Sequence, residues 1–209
     1  MNEPEGLARF RTASGRHPGR RPLDPVLGEW VRALAAAKPG SALLHLCESS
    51  DEMALWIHSG MDLGSRLVVV TPDGDGTSAL DDALGPDLRV TCHHQSPDEF
   101  LDDIRSHRFG LIVNDAAPRN PDRIRRIWEV LAPGGMLLLC ALGMGRVAPE
   151  TLSAVDWLRE RDDAAVARDL GLENTVFAAR LVPVPPATRR GGSRARREPG
   201  SVTALRPRT

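Results

Sequence analysis

The chain has 209 residues, enough for one α/β domain with a substantial core. Its net charge of −1 conceals an uneven distribution: residues 1–22 hold five Arg against two Glu, residues 187–209 hold seven Arg against one Glu, and 23–186 carry −10. An acidic body with basic ends is not the profile of a nucleic-acid-binding domain, and no apolar stretch approaches membrane-spanning length.

Residues 1–22 are rich in Arg, Gly and Pro without apolar periodicity, and are expected to be a disordered basic segment. Arg20-Arg21 has the dipeptide of a twin-arginine export signal, but Asp24, Glu29 and Arg32 interrupt what would be its apolar core. A helix then starts with Asp24 as cap and Pro25 in the first turn. Val26, Leu27, Trp30, Val31 and Leu34 give it one apolar face, and Pro39-Gly40 ends it.

The stretch from Ser41 to Asp75 reads as strand, turn, helix, strand. Ala42-Leu-Leu-His-Leu-Cys47 is a nearly continuous apolar run, followed by the polar turn Glu48-Ser49-Ser50-Asp51. Met53 to Ile57 has a short helical pattern, and Arg66-Leu-Val-Val-Val-Thr71 reads as a strand covered on both faces. This is a βαβ unit, whose first turn is where a nucleotide-like ligand commonly sits.

Pro72 to Gly76 is a loop, and a helix is expected around Ser78–Leu84. A third strand is expected over Leu88–Cys92. Ser96 and Pro97 then open a helix carrying Phe100, Leu101 and Ile104. Phe109–Val113 is a fourth strand ending at Asn114-Asp115. Pro121 opens a helix with Ile124, Ile127, Trp128 and Leu131, and Pro133-Gly134-Gly135 turns into strand five, Met136–Cys140. A helix over Pro149–Glu160 precedes two strands, Ala164–Leu170 and Thr175–Val184, joined by a turn at Gly171–Asn174. Residues 187–209 read as a disordered Arg-rich tail, leaving 23–186 as the domain. Five strands alternating with helices and closed by a hairpin predict a three-layer, doubly wound α/β fold.

Phe109-Gly-Leu-Ile-Val-Asn-Asp115, a helix, and Leu131-Ala-Pro-Gly-Gly-Met-Leu-Leu-Leu139 resemble the class I S-adenosylmethionine (SAM)-dependent methyltransferases. The nearest likeness is to the small O-methyltransferases of the catechol and caffeoyl-CoA type, and it runs in register from about Leu23 to Val184. The resemblance implies a Rossmann-like sheet of order 3-2-1-4-5-7-6 with the last strand antiparallel. It also implies SAM as cofactor, bound against Cys47, Glu48, Ser49 and Asp51 after strand one. Thr71 or Asp73 would reach the ribose, Gln95 or Ser96 would lie near the adenine, and Asp115 would follow strand four.

The cofactor motif is degenerate. His45 stands where the family has an acid, and Cys47 and Asp51 stand where it has glycines, so side chains occupy ground that glycine leaves to the ligand. Thr71 stands in place of the ribose-binding acid. Without three such interactions, each worth about 1–2 kcal/mol, affinity would fall by roughly two to four decades. The metal-dependent relatives hold Mg²⁺ with several oxygen ligands. Here Asp115 matches one of them, Ala117 replaces a second, and Cys140-Ala141 replaces an Asp-Asn pair, so no metal is expected.

Cys47, Cys92, Cys140 and His93-His94 lack the close spacing of a zinc motif and read as buried thiols and half-exposed imidazoles. With no disulfide framework, a reducing cytoplasm is expected. Asp115 itself reads as a catalytic base, a ligand, or a cap for the helix after it, the last on local preference alone. The leading functional reading is methyl transfer to a small molecule without metal, with no membrane or nucleic-acid partner and a homodimer left open. The second is a non-catalytic binding or regulatory protein that keeps the sheet but has lost SAM. A third is a nucleotide-binding protein for a different ligand.

Overall fold

The apolar run of the first strand is buried from both sides. In the computed structural model, which describes residues 2–14, 23–47, 52–72, 77–115, 122–140, 149–167 and 175–183, it forms β1, Ala42–Leu46. Parallel neighbours flank it: β2, Arg66–Thr71, on one side and β4, Phe109–Asn114, on the other. β3, Val90–His94, lies outside β2, and β5, Leu131–Cys140, lies outside β4. β7, Thr175–Arg180, runs antiparallel between β5 and β6, Ala164–Ala167. The order is therefore 3-2-1-4-5-7-6, as the resemblance implies, with β1 at the centre.

Alternation along these strands feeds two cores. Leu43, Leu67, Val69, Leu111 and Val113 face α1 (Leu7–Ala13), α2 (Pro25–Ala36), α3 (Glu52–Gly60) and α4 (Thr77–Leu84). Leu44, Leu46, Val70, Ile112 and Leu137 face α5 (Pro97–Asp103), α6 (Asp122–Val130) and α7 (Pro149–Arg159). Covering both faces is why β1 and β4 carry almost no polar residues.

Local chemistry sets the helix starts. The Asp24 carboxylate accepts from Val26 N at 2.8 Å, with Pro25 in the first turn of α2. Ser96 Oγ accepts from Glu99 N at 3.2 Å while Glu99 accepts from Ser96 N at 3.3 Å, a reciprocal cap for α5. Helices α5 and α6 are clamped by charge. Arg123, almost wholly buried, donates through Nε to Asp98 at 3.0 Å, and Arg126 donates to Asp102 at 3.1 Å.

Helices α2 and α3 pack closely at two glycines. A Cβ on Gly28 would lie 2.5 Å from the Trp56 ring, and one on Gly60 would lie 2.2 Å from the Arg32 carbonyl oxygen.

Three expectations are corrected. Residues 7–13 are not disordered but form α1, whose Leu7 and Phe10 are 0% and 3% exposed in the core. Arg11 donates to both oxygens of Glu52 at 3.0 Å, tying α1 to the first turn of α3. The strand expected over Leu88–Cys92 begins later, at Val90, because the Asp87 carboxylate and backbone hold the chain in a turn through bonds to Arg89 and Val90. Pro133-Gly134-Gly135 lies inside β5 instead of before it. Phe109 pairs with Leu131 and Leu111 with Met136, so the extra β5 residues loop out as a bulge, with Gly134 at φ +74°. Lys38 donates to the Gly134 carbonyl there. The turn at Gly171–Asn174 and the tail at 187–209 lie outside the described residues.

Candidate functional site

The site is built by the register of two neighbouring strands. β1 and β4 run parallel with His45 opposite Val113 and Leu46 opposite Asn114. Just past the strand ends, Asp115 N donates to Leu46 O at 3.1 Å and Cys47 N donates to Val70 O at 2.8 Å, so the ladder continues. A strand's period of two puts His45 and Cys47 on one face of β1, and Asp115 on the matching face of β4. All three are buried, at the carboxyl ends of the central strands, where open α/β sheets place ligands.

Their polar atoms converge. His45 Nε2 lies 3.7 Å from Asp115 Oδ2, with both side chains 0% exposed. One atom from each of His45, Cys47 and Asp115 falls within 4.8 Å of the other two. Neither ring nitrogen of His45 has a hydrogen-bond partner among the described residues. Leaving such groups unpaired in a dry interior costs about 1–3 kcal/mol each. Cys140, at the end of β5, feels the same centre: burial pushes its thiol well above the usual range, and the Asp115 charge pushes it further.

The other predicted residues divide into three groups. Thr71, buried at the end of β2, pairs with His94, and its hydroxyl donates over a long 3.5 Å to Pro72 O. Gln95 follows β3 directly and is half-buried, while Ser96 has its oxygen engaged in the α5 cap. Glu48, Ser49, Asp51 and Asp73 lie outside the described residues, as does Ala117. The described part of α6 starts at Asp122, and residues 116–121, on which the reading of Asp115 as a helix cap depends, lie outside the described residues.

The set Cys47, Cys92, Cys140, His93 and His94 does not assemble around one point. His93 packs on Phe100 with ring centroids 5.0 Å apart, and His94 pairs with Asp81 at 3.0 Å. The three cysteines form no disulfide. Sequence reasoning noted His45 as a departure from a motif and left it out of the site. The signal that would have found it is a His-x-Cys pair at the end of one buried strand beside an Asp at the end of its parallel neighbour. Imidazole, thiol and one carboxylate are a poor match for Mg²⁺, which prefers an all-oxygen octahedron, so the residues present do not fit that ion.

The strand order, the covered faces and the position of these residues define a class I methyltransferase fold. No family model matches the sequence, and no curated protein matches it. Solved structures do. The O-methyltransferase TomG from Streptomyces achromogenes, involved in tomaymycin synthesis and crystallised with SAM, superposes at a TM-score of 0.69 and 15% identity, over 87% of this chain and 92% of that one. The Bacillus cereus O-methyltransferase in complex with SAH gives 0.67 at 13% identity, over 86% and 92%. The SAH-bound methyltransferase of Podospora anserina gives 0.66 at 19% identity, over 86% and 89%. At these identities the likeness is one of fold.

Among the described residues, no helix is long and apolar enough to cross a membrane.

Proposed function

We propose that this protein is a SAM-dependent methyltransferase that methylates an oxygen of a small molecule and does not require Mg²⁺. The observation that carries the reading is the placement of Cys47, Thr71 and Asp115 at the carboxyl ends of β1, β2 and β4. These strands belong to a sheet of order 3-2-1-4-5-7-6 in a chain that superposes on solved SAM- and SAH-bound methyltransferases. In this reading Cys47, Glu48, Ser49 and Asp51 bear on the methionine end, Thr71 or Asp73 on the ribose, and Gln95 or Ser96 on the adenine. SAM supplies an electrophilic methyl group on a sulfonium. The chain's task is chiefly to hold it in line with an acceptor oxygen, which needs no dedicated acid or base. Its partner is then the small-molecule acceptor, with a homodimer as the assembly, and a reducing cytoplasm suits three cysteines without a disulfide.

A specific observation favours a second reading, a binding protein of the same fold that has lost SAM. Cys47 carries a side chain, buried against His45 and Asp115, where the resemblance expects glycine. Calorimetric titration with SAM and SAH separates the two. Binding at micromolar to submillimolar concentration supports the enzyme, and Asp73→Ala should then weaken it at least about tenfold by removing a charge-assisted hydrogen bond. No heat at millimolar SAM supports the binding protein. Tight binding that Asp73→Ala leaves intact refutes the ribose placement.

A further inference from the structure

We propose that His45, Cys47 and Asp115 form a binding site for a divalent transition-metal ion of the Zn²⁺ class. This goes beyond the methyltransferase reading and does not rest on it.

Ligand type is the first argument. An imidazole, a thiol and a carboxylate are the side chains from which tetrahedral Zn²⁺ sites are made, and three protein ligands leave the fourth position for an exchangeable group. The thiol and imidazole select against Mg²⁺ and Ca²⁺.

Geometry is the second. Two ligands on one tetrahedral ion at bond lengths of about 2.0–2.3 Å stand roughly 3.3–3.8 Å apart. His45 Nε2 and Asp115 Oδ2 are 3.7 Å apart, too long for a hydrogen bond and right for sharing an ion. The mutual limit of 4.8 Å for all three atoms leaves only a small side-chain adjustment to close the triangle.

The third is the state of His45. Its ring is fully buried with neither nitrogen hydrogen-bonded among the described residues, which is costly unless something binds it. A metal ion on Nε2 removes that cost for the nitrogen it binds.

The obvious competitor for these residue types is a Cys–His–Asp nucleophile relay. A relay strings thiol and carboxylate on opposite ring nitrogens, which places sulfur and oxygen about 7–8 Å apart. Here the three atoms close into a triangle within 4.8 Å. A triangle surrounds a point, and a relay does not.

Coordination requires the thiolate, so ion binding releases the Cys47 proton to solvent.

The test uses the full-length protein stripped with a chelator, without SAM, and titrated with Co²⁺ as probe. We expect one equivalent to give the visible ligand-field bands of a tetrahedral site and a near-ultraviolet thiolate-to-cobalt charge-transfer band, both abolished by added Zn²⁺. Cys47→Ser should lose the charge-transfer band, and His45→Ala and Asp115→Asn should each weaken Zn²⁺ binding more than about hundredfold, beyond the loss typical of an outer-shell partner. Cys92→Ser should leave the spectrum unchanged. Circular dichroism monitors folding of each variant. Asp115→Asn, nearly isosteric, keeps the test decisive if His45→Ala unfolds. Absence of the cobalt bands in the wild type overturns the proposal. So does a charge-transfer band that survives Cys47→Ser or disappears in Cys92→Ser. Because SAM is absent throughout, failure here leaves the methyltransferase reading standing, and failure to bind SAM leaves this one standing.

Discussion

Truncating Phe10 tests whether the amino-terminal helix belongs to the domain. Phe10 is 3% exposed and packs with Leu7 into the core that α2, α3 and α4 share. Phe→Ala at a fully packed core site costs about 3–5 kcal/mol. Helix α1 has seven residues, too few to persist alone, so it can undock when its anchor is cut, and the loss cannot exceed what docking contributes. We therefore expect a loss below the usual range, about 2–3 kcal/mol. At roughly 2–4 °C per kcal/mol for a domain of this size, the melting temperature should fall by roughly 4–12 °C. Thermal unfolding followed by circular dichroism measures this. Phe10→Leu, which keeps most of the apolar contact, should recover more than half of the loss. Limited proteolysis should cut Phe10→Ala at Arg9 or Arg11 faster than the wild type, because undocking frees Arg11 from Glu52. An unchanged melting temperature together with an unchanged cleavage rate would refute the reasoning and return residues 7–13 to the disordered segment.

Two further outcomes follow from the packing. Gly60→Ala should cost about 2–3 kcal/mol despite alanine's better helix propensity, because its Cβ meets the Arg32 carbonyl and α2 must move; a melting temperature at or above wild type contradicts this. The Arg123 guanidinium, through its hydrogen bond, holds the Asp98 carboxyl below the usual value of 3.8. A depressed carboxylate stabilises the fold above its unfolded pKa, and that contribution drains away as pH falls through 3.8 towards the folded value. Asp98→Asn should thus be less stable than wild type by about 1–3 kcal/mol at pH 7, with the two unfolding curves converging in acid; a gap that persists below the folded pKa would be against it.

The sheet was legible because its strands are apolar on both faces. Ala42–Leu46 and Phe109–Asn114 announce central, covered strands by composition alone, and the caps Asp24 and Ser96 announce the helices beside them. α1 was not legible. Its two anchors, Leu7 and Phe10, span a single turn among Arg, Gly and Pro, and only their burial against α3 and α4 makes a helix of them. The site was half legible. Cys47 and Asp115 were picked out singly by their positions after strands one and four. That they meet His45 depends on parallel register, which pairs residues 68 apart in sequence. Spacing rules that look for ligands within a few residues of each other pass over a site assembled across two strands.

Lys38 is the chain's one lysine, and it sits half-buried with its ammonium against the carbonyl of Gly134 in the β5 bulge, while burial lowers its pKa. Amine-directed reagents therefore have a single side-chain target, placed by the amino-terminal end of β5, at the opposite end of the strands from His45, Cys47 and Asp115. Acylation there requires the ammonium to leave Gly134, so the labelling rate reads how often the end of α2 parts from the bulge. One chemical clock, with one peptide to follow by mass, reports breathing of the domain while leaving His45, Cys47 and Asp115 untouched.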